Sequence, residues 1–142
     1  MAAQARLGLD KFELCECPDP DQMCKAAVAF IKEGKGDILV KGLVNTAAYV
    51  KAIMSRDARL VMPGTTLSHF ALFETARYHK LFAVADSAVI IAPNLERKRR
   101  IIQNSVDLMR LLGVETPKVA VICPVEKVNP AIPRTVDAAE LA

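Results

Sequence analysis

Three short polar segments contain the side chains that could bind an anion. In the first, residues 41–46, a lysine and a glycine follow an apolar run, and two small polar residues precede an amphipathic helix. A helix N-terminus offers unpaired backbone N–H groups and the positive end of the helix dipole, and both favour anions. This segment therefore predicts a phosphate site with the candidate contacts Lys41, Gly42, Asn45 and Thr46.

The other two segments also follow apolar runs that predict strands. One begins directly after the run 81–85, and the other lies in the proline-rich loop 124–134. Open α/β sheets bind ligands in crevices at the carboxyl ends of their parallel strands. We therefore expect both segments to line the same crevice as residues 41–46. Their candidate substrate contacts are Asp86, Ser87, Glu126 and Asn129.

Several of these residues also have a purely structural explanation. Asn45 and Thr46 could simply cap the helix that follows them, and Lys41 could be a solvated lysine at a strand end. Asp86 could brace a turn. His69 lies in an apolar predicted strand, which favours a structural histidine over a catalytic base. These alternatives stay open on sequence alone.

Strand and helix patterns alternate along the chain. Apolar runs predict strands over 12–17, 38–40, 69–74, 81–85 and 118–123. The short spacing of the third and fourth strands predicts an antiparallel hairpin, with a polar turn at Arg77-Tyr78-His79. Caps and glycines predict four helices. The first begins at Asp19-Pro20 and ends at Gly34, and the second covers 46–55. The third runs from Asn94 to Gly113, and the fourth begins at Thr135.

This alternation predicts an α/β fold with three layers and a mostly parallel sheet. We expect one domain over residues 1–142, truncated at both ends. At the amino end, residues 2–9 have the pattern of a helix tail that leads into the first strand. At the carboxyl end, the last predicted helix has barely begun at Ala142.

Composition narrows the class of protein. Hydrophobic residues make up 52% and charged residues 25% of the 142 positions, as in ordinary folded domains. A net charge of +3 is too small to indicate nucleic-acid binding without a clustered patch. No apolar run approaches the roughly 20 residues that span a bilayer, and the first residues lack the apolar core of a signal peptide. We therefore expect a cytoplasmic protein.

Two local features could suggest other functions. Cys15, Cys17 and Cys24 could contribute to a thiolate metal site, but such sites need four well-placed ligands. We therefore expect these thiols and Cys123 to be small apolar fillers in a reducing compartment, with no metal bound. The basic run 96–100 lies on the first turns of a predicted helix and is most simply a solvated face.

The order of the motifs resembles the phosphate acetyltransferase and phosphate butyryltransferase family over residues 8–142. The segments that carry the resemblance are KGLVNT (41–46), SHFALFE (68–74), DSA (86–88), IAPNLE (91–96), PKVA (117–120), EKVNP (126–130) and TVDAA (135–139). Lys41-Gly42 and Val128-Asn129-Pro130 are more similar to the butyryl branch. The segment 61–66 departs from the family pattern, because it has neither the lysine nor the arginine found there.

The resemblance implies an enzyme that moves an acyl group between coenzyme A and inorganic phosphate. It implies an isocitrate/isopropylmalate-dehydrogenase-like fold with the site between two α/β domains, and a homodimer. Coenzyme A is then a substrate, and no cofactor or metal is expected. The family's proposed general base lies in a later half of the protein, so no catalytic residue is assigned in this chain.

Two other functions are weighed against this one. A non-catalytic or incomplete α/β module that binds coenzyme A or a protein partner is the alternative, and the altered segment 61–66 favours it. A nicotinamide-dependent dehydrogenase of related fold ranks low. The sequence has no Gly-x-Gly-x-x-Gly after a strand and no clustered aspartates for a divalent metal.

Overall fold

The computed structural model describes residues 8–142, which form two compact units, one ending at Pro63 and the other running from Gly64 to Ala142. The organisation of residues 1–142 as a single domain stays a prediction. Most of the helix tail predicted over 2–9 lies outside the described residues, and a short 3₁₀ helix covers Leu9–Lys11.

The first helix of the amino-terminal unit, α1, spans Pro20–Lys32. Its start is set by Asp19, whose Oδ1 accepts a hydrogen bond from the backbone N–H of Gln22 at 2.9 Å. Its end is set by Gly34, which has a φ of 71° and donates its N–H to the carbonyl oxygen of Ile31 at 3.1 Å. The predicted cap and stop are therefore both confirmed.

The second helix, α2, spans Thr46–Ile53 and packs against α1. The contact has a small core because its buried side chains are short. The fully buried members are Cys24, Val28, Ala52 and Ala58, and the partly buried residues around them are Leu39, Val44, Ala48, Tyr49 and Ile53. The apolar-filler role predicted for Cys24 is thus confirmed.

Three predicted strands are wrong within the part of the chain that the structure describes. The segments 12–17, 38–40 and 118–123 have no strand hydrogen bonds. Ile38 is 81% exposed and Ile122 is 92% exposed. An apolar run becomes a strand only when its backbone N–H and C=O groups pair with a neighbouring strand, and residues 8–142 supply no such neighbour to these segments.

The predicted hairpin is confirmed in the carboxyl-terminal unit. Strand β1, Ala71–Thr75, pairs in antiparallel fashion with β2, Tyr78–Val84. Phe73 lies opposite Phe82, and their rings stack with centroids 5.5 Å apart. This cross-strand aromatic pair stabilises the register of the hairpin. It is the one sheet found in residues 8–142, so the α/β content is established but a parallel sheet is not.

The turn of the hairpin differs from the prediction. The reversal occurs at Ala76-Arg77, so Tyr78 and His79 lie in β2 and are not turn residues. Aromatic side chains favour strands, and the Tyr78 ring contacts the rings of both His79 and Phe82. The polar side chains of residues 77–79 suggested a turn there, but the turn begins one residue earlier, at Ala76.

The longest helix, α3, spans Leu95–Leu111 and begins as predicted after Asn94, whose Oδ1 accepts from the N–H of Arg97 at 3.0 Å. It ends before Gly113, which has a φ of 90°. On its apolar side Ile102, Val106 and Met109 are half-buried, and the neighbouring Ile101 is buried.

Helix α4 spans Pro133–Leu141 and carries acidic partners for the basic run of α3. Lys98 pairs with Asp137 at 2.6 Å, and Arg99 pairs with Glu140 at 3.2 Å. Within α3, Arg100 pairs with Glu96 at 3.1 Å. Four of the five residues in the run 96–100 are exposed, so the predicted solvated face is confirmed, and three of its four cations form ion pairs there.

The predicted cap of the last helix is wrong. Helix α4 begins at Pro133, so Thr135 lies within its first turn, and Ile132 precedes the helix without a side-chain cap. Thr135 is 3% exposed. Its Oγ1 accepts the N–H of Asn129 at 2.8 Å and lies 3.0 and 2.8 Å from the carbonyl oxygens of Asn129 and Ile132. Thr135 thus holds the preceding loop onto α4.

We expect Thr135→Val to lower the free energy of unfolding by about 1–3 kcal/mol, because it keeps the volume of the side chain but leaves the Asn129 N–H without its acceptor. Urea unfolding measures the change. Thr135→Ser is the matched control, since it keeps the hydroxyl and loses only one methyl, worth about 1 kcal/mol. A valine variant as stable as the wild type would contradict this role.

Candidate anion-binding site

In the amino-terminal unit, Asn45 prepares the N-terminus of α2. Its backbone is extended, with φ −61° and ψ 135°, and its Oδ1 accepts the N–H of Ala47 at 2.8 Å. The structural explanation, helix capping, is therefore confirmed for Asn45, whereas Thr46 is the first helical residue. Capping satisfies one of the N–H groups at a helix N-terminus, and the others stay available to an anion.

The ammonium group of Lys41 folds over the same segment instead of extending into solvent. Its Nζ donates to the carbonyl oxygen of Val44 at 2.9 Å and to that of Gly42 at 3.3 Å. A lysine ammonium has three donors. Two of them are engaged by the loop, and one remains for a ligand.

Gly42 leaves open space beside Lys41, because a Cβ placed there would meet no atom within 4 Å. The segment also borders a cavity of about 390 Å³. The hydroxyl of Tyr49, in α2, donates to the carbonyl oxygen of Leu39 at 3.1 Å and so links the helix to the chain just before this segment. The cavity is mainly apolar and is lined by Met23, Cys24, Ala27, Leu39, Val40, Lys41, Gly42, Leu43, Val44 and Tyr49.

In the carboxyl-terminal unit, Asp86 braces the turn that follows β2. Its Oδ1 accepts the N–H groups of Ala88 and Val89 at 3.0 and 2.9 Å. Burial acts to raise the pKa of this carboxyl, but the backbone N–H groups of Ala88, Val89, His69 and Ile90 outweigh burial and hold the pKa of Asp86 below 3.8. Its Oδ2 is buried and has no hydrogen-bond partner among residues 8–142.

Ser87, the neighbour of Asp86, contacts His69, for which the sequence favours a structural role over that of a catalytic base. The Oγ of Ser87 lies 3.2 Å from Nδ1 of His69. His69 is half-buried and precedes β1, and Ser87 follows β2 and is exposed. The signal that could have revealed this pair is the strand register, since Ala71 lies opposite Val84, and extending that alignment by two residues puts His69 opposite Asp86.

A side chain from α3 holds the segment that leads to His69. The Nδ2 of Asn104 lies 2.8 Å from the carbonyl oxygen of Thr66 and 2.9 Å from Oγ of Ser68. The residue before His69 is therefore anchored to a helix, and the residue two places after it begins β1. Asn104 was not among the predicted site residues, because nothing in its local sequence indicates a contact so distant along the chain.

The third predicted segment is held by α4. The Oδ1 of Asn129 accepts the N–H of Ala131 at 2.9 Å, and its backbone is held by Thr135. Glu126 is exposed and makes no hydrogen bond or ion pair within the described chain. No hydrogen bond within residues 64–142 joins this segment to Asp86 or Ser87. The ligand contacts assigned to all three segments stay predictions.

The structure offers no metal-binding group in the portion it describes, residues 8–142. Cys15 and Cys17 are in contact, with their Sγ atoms 3.9 Å apart. Cys15 is exposed, so its predicted role as an apolar filler is wrong, and Cys17 and Cys123 are half-buried. Local burial and the neighbouring Cys15 raise the pKa of Cys17, which disfavours the thiolate that a metal would need.

Sequence comparison gives a family match over most of the chain. A family model described as phosphate acetyl/butaryl transferase matches residues 13–142. The phosphate butyryltransferase of Clostridium acetobutylicum is 39% identical over 139 residues, which are 96% of this chain and 46% of that protein. The phosphate acetyltransferase of Thermotoga maritima is 32% identical over 130 residues, which are 92% of this chain and 44% of that protein.

Comparison of structures agrees. A branched-chain phosphotransacylase from Enterococcus faecalis V583 superposes with a TM-score of 0.76 at 24% identity, covering 94% of this chain and 48% of that chain. At this identity the likeness shows a shared fold. The chain thus spans about half the length of its relatives. None of the helices in residues 8–142 is long and apolar enough to cross a membrane.

The lowered pKa of Asp86 predicts how stability responds to acid. Because the carboxyl binds its proton more weakly when folded than when unfolded, its contribution is present in full above about pH 4 and is lost as the pH falls through the folded-state pKa. We expect the difference in unfolding free energy between wild type and Asp86→Asn to shrink from about pH 5 to about pH 3. Urea unfolding at each pH measures it.

Asp86→Ala separates charge from hydrogen bonding in the same experiment. Asparagine keeps an oxygen for the Ala88 and Val89 N–H groups, whereas alanine removes it. Both variants should therefore show the same pH dependence relative to wild type, and alanine should add a constant deficit of about 1–3 kcal/mol. A wild-type advantage that stays constant across this range would contradict the role of the charged form.

Proposed function

Because the chain belongs to the phosphate acetyl/butaryl transferase family, we propose that it is a phosphate acyltransferase that moves an acyl group between coenzyme A and inorganic phosphate. In this reaction a phosphate oxygen attacks the thioester carbonyl, the carbon–sulfur bond breaks, and coenzyme A leaves as a thiol after gaining a proton. The family match over residues 13–142, which includes all three polar segments, carries the proposal.

Residues 41–46 bind the phosphate in this proposal. The first turn of α2 supplies backbone N–H groups, and Lys41 supplies the one ammonium donor that the loop leaves unused. Gly42 allows close approach because no side chain fills the space beside it. Asn45 keeps the helix start in place, and Thr46 adds a hydroxyl at that start.

The remaining predicted contacts differ in the chemistry they offer. Ser87 has an exposed hydroxyl that can donate to an oxyanion, and Asp86 holds the turn that presents it. Glu126 and Asn129 lie in the loop held by Thr135, and we assign them to polar groups of coenzyme A. A preorganised donor such as the Ser87 hydroxyl stabilises a phosphate oxygen without the cost of reorganising during the reaction.

The finer fold belongs to the same proposal. It is an isocitrate/isopropylmalate-dehydrogenase-like, three-layer architecture with a mostly parallel sheet, in which other parts of the fold cover the apolar segments 38–40 and 118–123. Their exposed apolar side chains support this assignment, because Val40 is 82% and Ile122 is 92% exposed. Strands buried on both faces of a parallel sheet have such continuous apolar runs.

Further expectations follow from the proposed reaction. Coenzyme A is a substrate and product, and no cofactor or metal takes part. The protein acts in the cytoplasm as a homodimer and binds neither nucleic acid nor membranes. The near-neutral ion-paired surface of α3 supports the absence of a nucleic-acid site, since three of its cations already have acidic partners.

The alternative is an incomplete or non-catalytic module that binds coenzyme A or a protein partner without turnover. It is favoured by one observation, that the segment 61–66 has neither the lysine nor the arginine of the family pattern. Butyryl-CoA and phosphate, incubated with the chain, should release free thiol that a thiol reagent detects. Omitting phosphate controls for hydrolysis. Coenzyme A binding by calorimetry without thiol release would support the module and overturn catalysis by this polypeptide.

We expect Lys41→Met to weaken the binding of inorganic phosphate about tenfold or more, because it removes a charge-assisted hydrogen bond from the ligand. Calorimetric titration with phosphate measures the change. Lys51→Met, a lysine on the exposed side of α2, is the matched control and should bind like the wild type. Equal affinities of the Lys41 and Lys51 variants would remove Lys41 from the site.

A further inference from the structure

The β1–β2 hairpin brings a histidine to the turn that carries two predicted substrate contacts. Ala71 pairs with Val84 at the open end of the hairpin. Extending the same register by two residues beyond both strands places His69 beside Asp86-Ser87, where Nδ1 of His69 lies 3.2 Å from Oγ of Ser87. Neither the motif order nor the family match assigns a role to this histidine.

Both partners of this contact are held in place from outside it. Asn104 of α3 binds Thr66 and Ser68, which fixes the chain just before His69. On the other side, Asp86 accepts two backbone N–H groups of its own turn, which fixes the chain just before Ser87. The Ser87–His69 contact is therefore a feature of a braced site and not of two independent surface side chains.

The chemistry of the pair is complementary to an oxyanion. A serine hydroxyl has one hydrogen to donate, and a neutral imidazole carries its proton on one ring nitrogen and a lone pair on the other. When Nδ1 carries the proton, the ring donates to Ser87 Oγ. The single hydrogen of Ser87 is then left for an acceptor on a ligand.

We infer that His69 is a positioning residue for Ser87: the ring holds the hydroxyl so that its hydrogen points to a phosphate oxygen, and phosphate selects the tautomer with the proton on Nδ1. Asp86 does not take this part, because its carboxylate accepts the N–H groups of its own turn, makes no hydrogen bond to Ser87 Oγ within residues 8–142, and repels an anion. The inference rests on the proposed function, since it takes the Ser87 ligand to be phosphate.

The first test is spectroscopic. The chain has two histidines, so the imidazole ¹⁵N spectrum of the whole chain contains two sets of ring signals, and His79 on β2 is an internal reference. We expect Ser87→Ala to shift the Nδ1 signal of His69 and to leave that of His79 unchanged. Adding inorganic phosphate to the wild type should move the His69 tautomer equilibrium toward Nδ1–H, and this response should vanish in Ser87→Ala.

The second test is a double-mutant cycle on the affinity for inorganic phosphate, measured by calorimetry. His69→Phe and Ser87→Ala should each weaken binding about tenfold, and the double variant should be no weaker than either single variant within about twofold. His69→Asn, which keeps a polar group near the position of Nδ1, should recover most of the affinity. His79→Phe is the control and should bind like the wild type.

The outcomes separate this inference from the proposed function. If phosphate binds but the two substitutions are additive, or His69→Asn is as weak as His69→Phe, the positioning role is overturned while the proposed function stands. The same holds if phosphate binds and the His69 signal does not respond. If the wild-type chain has no affinity for phosphate, the proposed function is overturned. The positioning role of His69 is then overturned as well, even if Ser87→Ala still shifts the Nδ1 signal of His69.

Discussion

The structure depends on satisfying the backbone N–H groups where the chain turns or enters a helix. Those groups have no partner in regular structure, and a buried N–H without an acceptor is costly. Asn45, Asp86 and Asn129, all predicted as ligand contacts, each give a side-chain oxygen to such a group within their own turn. Thr135 does the same for Asn129 from inside α4. In each unit, the candidate ligand contacts are therefore held first by their own local turns.

The acceptor and donor atoms of the polar residues therefore have different roles. The acceptor oxygens of these three side chains are directed to the backbone, and the donors near them include the Lys41 ammonium, the Ser87 hydroxyl and the first N–H groups of α2. An anion needs donors. Structural capping and ligand binding are consequently compatible in one segment, because they draw on different atoms of the same few residues.

Sequence reasoning succeeded where the determining interaction is local. The helix boundaries at Asp19, Gly34 and Gly113 depend on residues within one turn, and all agree with the structure. The start of α4 was also local but was misjudged: Pro133 at the first helical position marks it, as Pro20 does in α1, and Thr135 was preferred instead. Strands depend on a distant partner, so an apolar run such as 38–40 could not reveal whether one is present.

The contact between His69 and Ser87 shows that a long-range feature can still be derived when one register connects its two ends. When the predicted strands 69–74 and 81–85 are paired in antiparallel fashion from the turn outward, residue 74 faces residue 81 and His69 faces residue 86. The error in the turn did not matter, since the register shift lies between Phe73 and Thr75 and leaves the open end of the hairpin unchanged. Asn104 of α3 anchors Ser68, which lies just before His69 and β1. The imidazole ring of His69 is therefore held beside the turn that follows β2. The hairpin, more than any single motif, therefore determines which groups meet at the candidate site in this unit.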